Sequence, residues 1–183
     1  MTGHTRPRAY LAGPDVFLPN AAEIGLAKKK ICESHGIEGA YPGEGDYRRL
    51  FGLEPRDAGV AAFDVCIEMI DGCQLGFVNM TPFRGPSMDV GTAVELGYMY
   101  AKGMPVFGYS ATATSYAERI EPDGWFIEPF DLCDILMAPA AVQRSTGALP
   151  ILSPAKSPPF DLSAMAAFAE CVGRASAFLA ARR

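Results

Sequence analysis

The run Phe83-Arg84-Gly85-Pro86-Ser87-Met88-Asp89-Val90-Gly91-Thr92-Ala93-Val94-Glu95-Leu96-Gly97-Tyr98 carries two carboxylates, Asp89 and Glu95, on opposite arms of a Gly-containing turn. Two acids so placed can face one small substrate. Glycosyl transfer needs that arrangement, with one carboxylate attacking the sugar carbon and another handling the leaving group. Gly91 before Glu95 and Gly97 after it leave room for a ligand to approach the backbone. Both acids also have plain structural readings. Asp is a favoured helix N-cap, and acids gather in first helical turns because the helix dipole stabilises them there. Read as a nucleophile in the first turn of its helix, Glu95 is expected to be ionised.

The elements that hold these residues follow from the flanking pattern. Leu75 to Met80 is an apolar run that reads as a buried strand, and Ala93 to Lys102 reads as a helix. A strand that passes through a Gly/Pro loop into a helix is where open α/β sheets place their ligand sites. Arg8 to Gly13 reads as another strand, ending at the turn signal Gly13-Pro14. Tyr10 lies in it, either as a core tyrosine or with its hydroxyl aimed at Glu95 to orient it. Asp15 and Phe17 fall at the same sheet edge, where an acid and an aromatic can hydrogen-bond and stack on a planar heterocycle, or merely close the loop. Arg84 is the cation beside the acids, either solvated or a phosphate ligand.

Asn20 reads as the N-cap of a helix running to about His35, with Ile24, Ala27, the Lys28 stem and Ile31 at helical spacing; the Lys28-Lys29-Lys30 run reads as its solvated face. Ile37 to Tyr41 is a second strand. Pro42 to Asp57, rich in Gly and charge, is a loop long enough to cover a site. Ala58 to Gly72 reads as a helix with Ala62, Val65, Met69 and Ile70 inward. Val106 to Tyr109 is a fourth strand and Trp125 to Ile127 a last short one. A Pro-rich linker, Pro150 to Pro159, leads to a final amphipathic helix from Ser163 to Ala181. Strands alternating with helices predict a parallel sheet covered on both faces, a three-layer α/β/α arrangement in flavodoxin-like order.

The 183 residues suit one domain, with Met1 to Pro7 polar and expected to fray. A net charge of −5 without a basic stripe argues against nucleic-acid binding. The five cysteines have no CxxC spacing and the two histidines lie far from any Cys pair, so no metal site is expected. With no signal-peptide pattern and an odd number of cysteines, reduced thiols and a cytoplasmic location are expected. No apolar run reaches membrane-spanning length.

Tyr10-Leu11-Ala12-Gly13-Pro14 with Phe17, then Thr81-Pro82-Phe83-Arg84-Gly85, then Asp89-Val90-Gly91-Thr92-Ala93-Val94-Glu95-Leu96-Gly97, resemble the nucleoside 2-deoxyribosyltransferases over about Tyr10 to Leu132. The resemblance implies a flavodoxin-like fold, no cofactor, and transfer of 2-deoxyribose between nucleobases through a covalent glycosyl-enzyme, in nucleotide salvage. It places Glu95 as nucleophile, Tyr10 as the tyrosine that positions it, and Asp89 as the carboxylate that protonates the departing base. It places Asp131 where a neighbouring subunit reaches over to the sugar 5′-hydroxyl, so a homo-oligomer is implied. Two positions depart from the pattern. Cys66 replaces an Asp or Asn that helps bind the base, and Gln74 replaces the Asp that often opens the third strand. Two other readings compete: a nucleoside or nucleotide N-glycosidase using the same Glu95, and a nucleoside-binding module without turnover. Water exclusion separates transfer from hydrolysis, and Asp131 opposes a 5′-phosphate by like charge.

Overall fold

The computed structural model describes residues 6–155 and 158–182. The expectation of a frayed start therefore falls largely outside the described residues, as does part of the Pro-rich linker. A five-stranded sheet forms the centre, in the order β2-β1-β3-β4-β5 and parallel throughout. The strands are β1 (Arg8–Ala12), β2 (Glu38–Ala40), β3 (Leu75–Asn79), β4 (Val106–Ser110) and β5 (Ile151–Leu152). This is the flavodoxin-like order, whose switch point lies between β1 and β3.

The period-2 alternation of the strands sorts two cores. Ala9, Leu11, Phe77, Phe107 and Tyr109 pack on one face beneath α1 (Ala21–Ser34) and α5 (Met165–Ala180). Tyr10, Ala12, Val78, Met80 and Val106 pack on the other, beneath α2 (Pro55–Asp71), α3 (Val90–Ala101) and α4 (Met137–Thr146). β3 and β4 are buried along their whole length, as central parallel strands must be. Of the positions read as inward on α2, Val65 and Ile70 are buried, Met69 packs partly against the core, and Ala62 is half-buried.

Two expectations fail. Trp125 to Ile127 is not a strand: Trp125 and Phe126 are 83% and 82% exposed, and the fifth strand is Ile151–Leu152, inside the segment read as a linker. A two-residue edge strand between Pro150 and Pro154 has no alternation to betray it. Helix α4 has no counterpart among the expected elements. Its Pro139 stands in the first turn, where a missing N–H breaks no helical hydrogen bond, so the proline does not stop the helix. The loop after β2 contains two short 3₁₀ turns, Pro42–Glu44 and Tyr47–Leu50, before α2 opens on Pro55.

Candidate active site

Asp89 caps α3, its Oδ2 accepting hydrogen bonds from the Thr92 backbone N–H at 2.8 Å and the Thr92 hydroxyl at 2.9 Å. The helix therefore begins at Val90 and Glu95 stands in its second turn, not its first. The dipole fades within the first turn, so burial decides the state of Glu95. Desolvation raises its carboxyl to about 7, the Tyr10 hydrogen bond works against that rise, and the charge of Asp89 adds to it. The expected fully ionised group is instead poised near neutrality.

Tyr10 provides the contact the strand reading allowed. Its hydroxyl donates to Glu95 Oε1 at 2.6 Å, and the residue is fully buried. Burial first, then the charge of Glu95, hold that hydroxyl well above the usual tyrosine range, so it remains a donor. Cys66 on α2 adds to the same shift. Its Sγ lies 3.9 Å from the hydroxyl of Tyr47, which donates to the Pro42 carbonyl at 2.9 Å. Burial, then Cys66 and Glu95, push the Tyr47 hydroxyl up to about 12. The loop after β2 thus delivers a tyrosine to the site, and the Gly-rich sequence signalled a cover without naming it.

Phe17 and Phe83 stack at 5.5 Å between centroids and 9° between planes. The Arg84 guanidinium lies 4.8 Å from the Phe83 ring and 5.6 Å from the Phe17 ring. Arg84 adopts a φ of 55°, which for a non-glycine residue costs roughly 1–2 kcal/mol. This places a planar aromatic and cationic surface at the carboxyl ends of β1 and β3. Gly85 and Gly91 are exposed, and a Cβ at Gly91 would stand 3.1 Å from Asp89 Oδ2. At Gly13 a Cβ would stand 2.5 Å from Asp15 Oδ1.

Of its two readings, Asp15 takes the structural one. It is 1% exposed, with Oδ2 2.9 Å from the Lys28 ammonium and Oδ1 accepting from Asn79 Nδ2 at 3.2 Å. Core partners take up both oxygens, and the expected contact with a heterocycle gives way to a structural one. Lys28 corrects the solvated-face reading: it is buried, while Lys29 pairs with Glu44 and Lys30 is exposed.

Asp131 is exposed in a left-handed turn with φ 52°, a conformation Asp tolerates. Its loop is tied to the loop carrying Asp89 by residues the sequence did not single out. Asp134, buried, accepts from the Met88 backbone N–H at 2.7 Å. Arg119 donates to the Pro86 carbonyl at 2.9 Å, the Cys133 carbonyl at 2.7 Å and the Thr114 carbonyl. No helix among the described residues is long and apolar enough to cross a membrane.

The fold and the Tyr10–Glu95 pair define a flavodoxin-like α/β protein with a carboxylate site at its sheet switch point. The family profile described as nucleoside 2-deoxyribosyltransferase matches residues 9–137, and the chain belongs to that family. A 2-desoxiribosyltransferase from Leishmania mexicana is similar in structure, with a TM-score of 0.59 and 26% identity over 72% of this chain and 85% of that one. A conserved protein from Enterococcus faecalis V583 shares the fold, with a TM-score of 0.53 and 16% identity over 92% and 98% of the two chains. An uncharacterised protein of Schizosaccharomyces pombe is 39% identical over 118 residues, 64% of this chain. That match spans 56% of the yeast protein's length.

Proposed function

We propose that this protein transfers 2-deoxyribose between nucleobases through a glycosyl-enzyme on Glu95, without a cofactor. The observation that carries the reading is the 2.6 Å hydrogen bond from the buried Tyr10 hydroxyl to Glu95 Oε1, joining β1 to α3 within the residues that match the family. With Oε1 held, the other carboxylate oxygen attacks C1′ of the deoxynucleoside. The C1′–N bond breaks with its electron pair going to the base, and the base takes a proton relayed from solvent through Asp89. The oxocarbenium-like transition state is stabilised by the carboxylate beneath it. An incoming base then attacks C1′, releases Glu95 and returns a proton to solvent through Asp89. Phe17 and Phe83 supply the stacking surface for the base, and Cys66, beside Tyr47, stands where the resemblance has an Asp or Asn that helps bind the base.

The sugar end is assigned to Asp131 of a second copy. Its exposed loop also bears exposed Trp125, Phe126 and Phe130. Between α3 and α4 lies an apolar cavity of about 660 Å³ lined by Val90, Leu96, Tyr100, Met137 and Ala141. Aromatic side chains left in water and an open apolar groove on one chain are what a second copy would cover.

Incubation with a deoxynucleoside and a different free base, read by chromatography, tests the reading. A swapped nucleoside supports transfer, free deoxyribose indicates the hydrolase, and an unchanged mixture indicates a binding module. Mass spectrometry after a slow 2-fluoro-deoxyriboside substrate should find the sugar attached to Glu95.

A further inference from the structure

We propose that Lys28 is a positioning residue for substrate binding: from inside the core it holds the two loops whose tips form the Phe17–Phe83 stack. The substrate named here rests on the deoxyribosyl-transfer reading, while the linkage itself rests on geometry. Lys28 Nζ lies 2.9 Å from Asp15 Oδ2, donates to the Tyr109 hydroxyl at 2.9 Å, and sits 5.2 Å from the centroids of both the Tyr109 and Phe168 rings. The residue is 1% exposed, so none of this is surface chemistry.

From Asp15 the chain of contacts divides. Asp15 belongs to the short turn Pro14–Phe17, so fixing its carboxylate fixes the turn that ends in Phe17. Its Oδ1 accepts from Asn79 Nδ2 at 3.2 Å, and the same amide nitrogen donates to the Leu162 carbonyl at 2.7 Å. Asn79 Oδ1 accepts from the Thr81 backbone N–H at 3.1 Å and from the Thr81 hydroxyl at 2.6 Å. Thr81 in turn opens the segment that carries Phe83. Asn79 and Thr81 are fully buried. Gly13 has no space for a side chain against this cluster, with its ideal Cβ 2.7 Å from the Asn79 Cβ.

A buried ion pair is a poor source of stability, because desolvation offsets most of the attraction. Its position suits another task. It stands beneath the ends of β1 and β3 and joins, through one hydrogen-bonded path, the backbones on which the two stacked rings are mounted. A base lying on those rings makes the same contact in the ground state and in the transition state. Loss of the platform therefore raises KM and leaves kcat nearly unchanged.

The test is steady-state kinetics with 2′-deoxyinosine and with thymidine as sugar donors. Lys28→Met should raise KM for the better donor at least about tenfold while kcat stays within about threefold. In Lys28→Met/Asp15→Asn the buried charge is gone and an acceptor for Asn79 remains, so most of the KM rise should be recovered. An unchanged KM, a fall in kcat as large as that in kcat/KM, or no recovery in the neutral pair overturns the proposal. Should Lys28→Met fail to fold, Thr81→Val serves in its place. It keeps the shape and removes the hydroxyl from Asn79, and it must show the same KM-selective loss. If the wild type transfers no sugar, the functional reading fails by itself. Positioning is then read by calorimetric titration of the same two nucleosides, where Lys28→Met must weaken binding; no binding by the wild type overturns both.

Discussion

Removing the Tyr10 hydroxyl should move the acid limb of the pH–rate profile upward. Attack on C1′ needs the Glu95 carboxylate, and burial has raised that group to about 7 against the opposing hydrogen bond from Tyr10. In Tyr10→Phe the opposing contribution disappears, while burial and the Asp89 charge remain. A hydrogen bond to a charged group contributes about 1.5–3 kcal/mol. At about 1.36 kcal/mol per pH unit, the Glu95 titration rises by roughly one to two units. At neutral pH the ionised fraction, and with it kcat/KM, falls by about fivefold to fiftyfold, and most of that returns in alkaline buffer. Phe fills the same fully buried space, so folding should be little disturbed. The assay is kcat/KM for one deoxynucleoside from about pH 5 to about pH 10, for wild type and variant. An acid limb that stays in place, or a loss of equal size at every pH, refutes the argument that Tyr10 acts by stabilising the Glu95 anion.

Glu95→Gln should abolish turnover and alter the pH dependence of stability. The folded carboxyl binds its proton more tightly than the unfolded one, so its stabilising share is full below the ordinary value of 4.5 and is lost as pH rises to about 7. Thermal unfolding should therefore show the Gln variant gaining on wild type across that window, by up to roughly 3 kcal/mol at neutral pH; a parallel pair of curves refutes the burial account. Asp89→Asn keeps an acceptor for the Thr92 N–H and should fold like wild type while turning over slowly, whereas Asp89→Ala should also lose about 1 kcal/mol of stability with the cap. Equal unfolding midpoints for the two would show that the cap contributes nothing. Asp131→Ala mixed with Glu95→Gln after unfolding and refolding should recover about a quarter of wild-type activity in a two-fold dimer with crossed sites. No recovery places Asp131 outside the neighbouring site. Wild type should also use deoxynucleosides far better than their 5′-monophosphates, with Asp131→Asn narrowing the gap in kcat/KM.

What the sequence shows well is whatever depends on local pattern. The apolar run of β3, the turn at Gly13-Pro14 and the helical spacing of α1 each lie within a short window, and each element forms within a residue or two of its expected span. The Tyr10–Glu95 contact was legible because alternation in a strand and position after a switch-point loop are both local facts. The pairing of Asp15 with Lys28 was not legible, for the opposite reason. A Lys in a run of three reads as solvated, and an Asp after Gly-Pro reads equally as a ligand contact or a loop closer, until the fold supplies each with a partner, and their pairing spans two elements. Tyr47 and Asp134 failed to stand out for the same reason, since Cys66 and the Met88 backbone that they meet are remote in sequence. Strand β5 and helix α4 were hidden by prolines placed where a strand edge and a first helical turn tolerate them.

The geometry of the carboxylate also has a source one layer below the site. Tyr10 and Gly76 are lateral neighbours in the parallel register of β1 and β3. Tyr10 projects toward α3, while Gly76 projects nothing. A Cβ at Gly76 would stand 2.3 Å from Met99 Sδ, so the missing side chain is what lets Met99 seat directly on the sheet. Met99 and Glu95 lie one turn apart on the same face of α3, the i and i+4 positions that align along a helix. Seating Met99 on glycine therefore sets the height of Glu95 above the sheet, and Tyr10, one strand over, is long enough to meet it at 2.6 Å. Burial of the carboxylate is the largest cause of its raised proton affinity. The position of the proposed nucleophile thus has its origin in a glycine paired with a tyrosine across two strands.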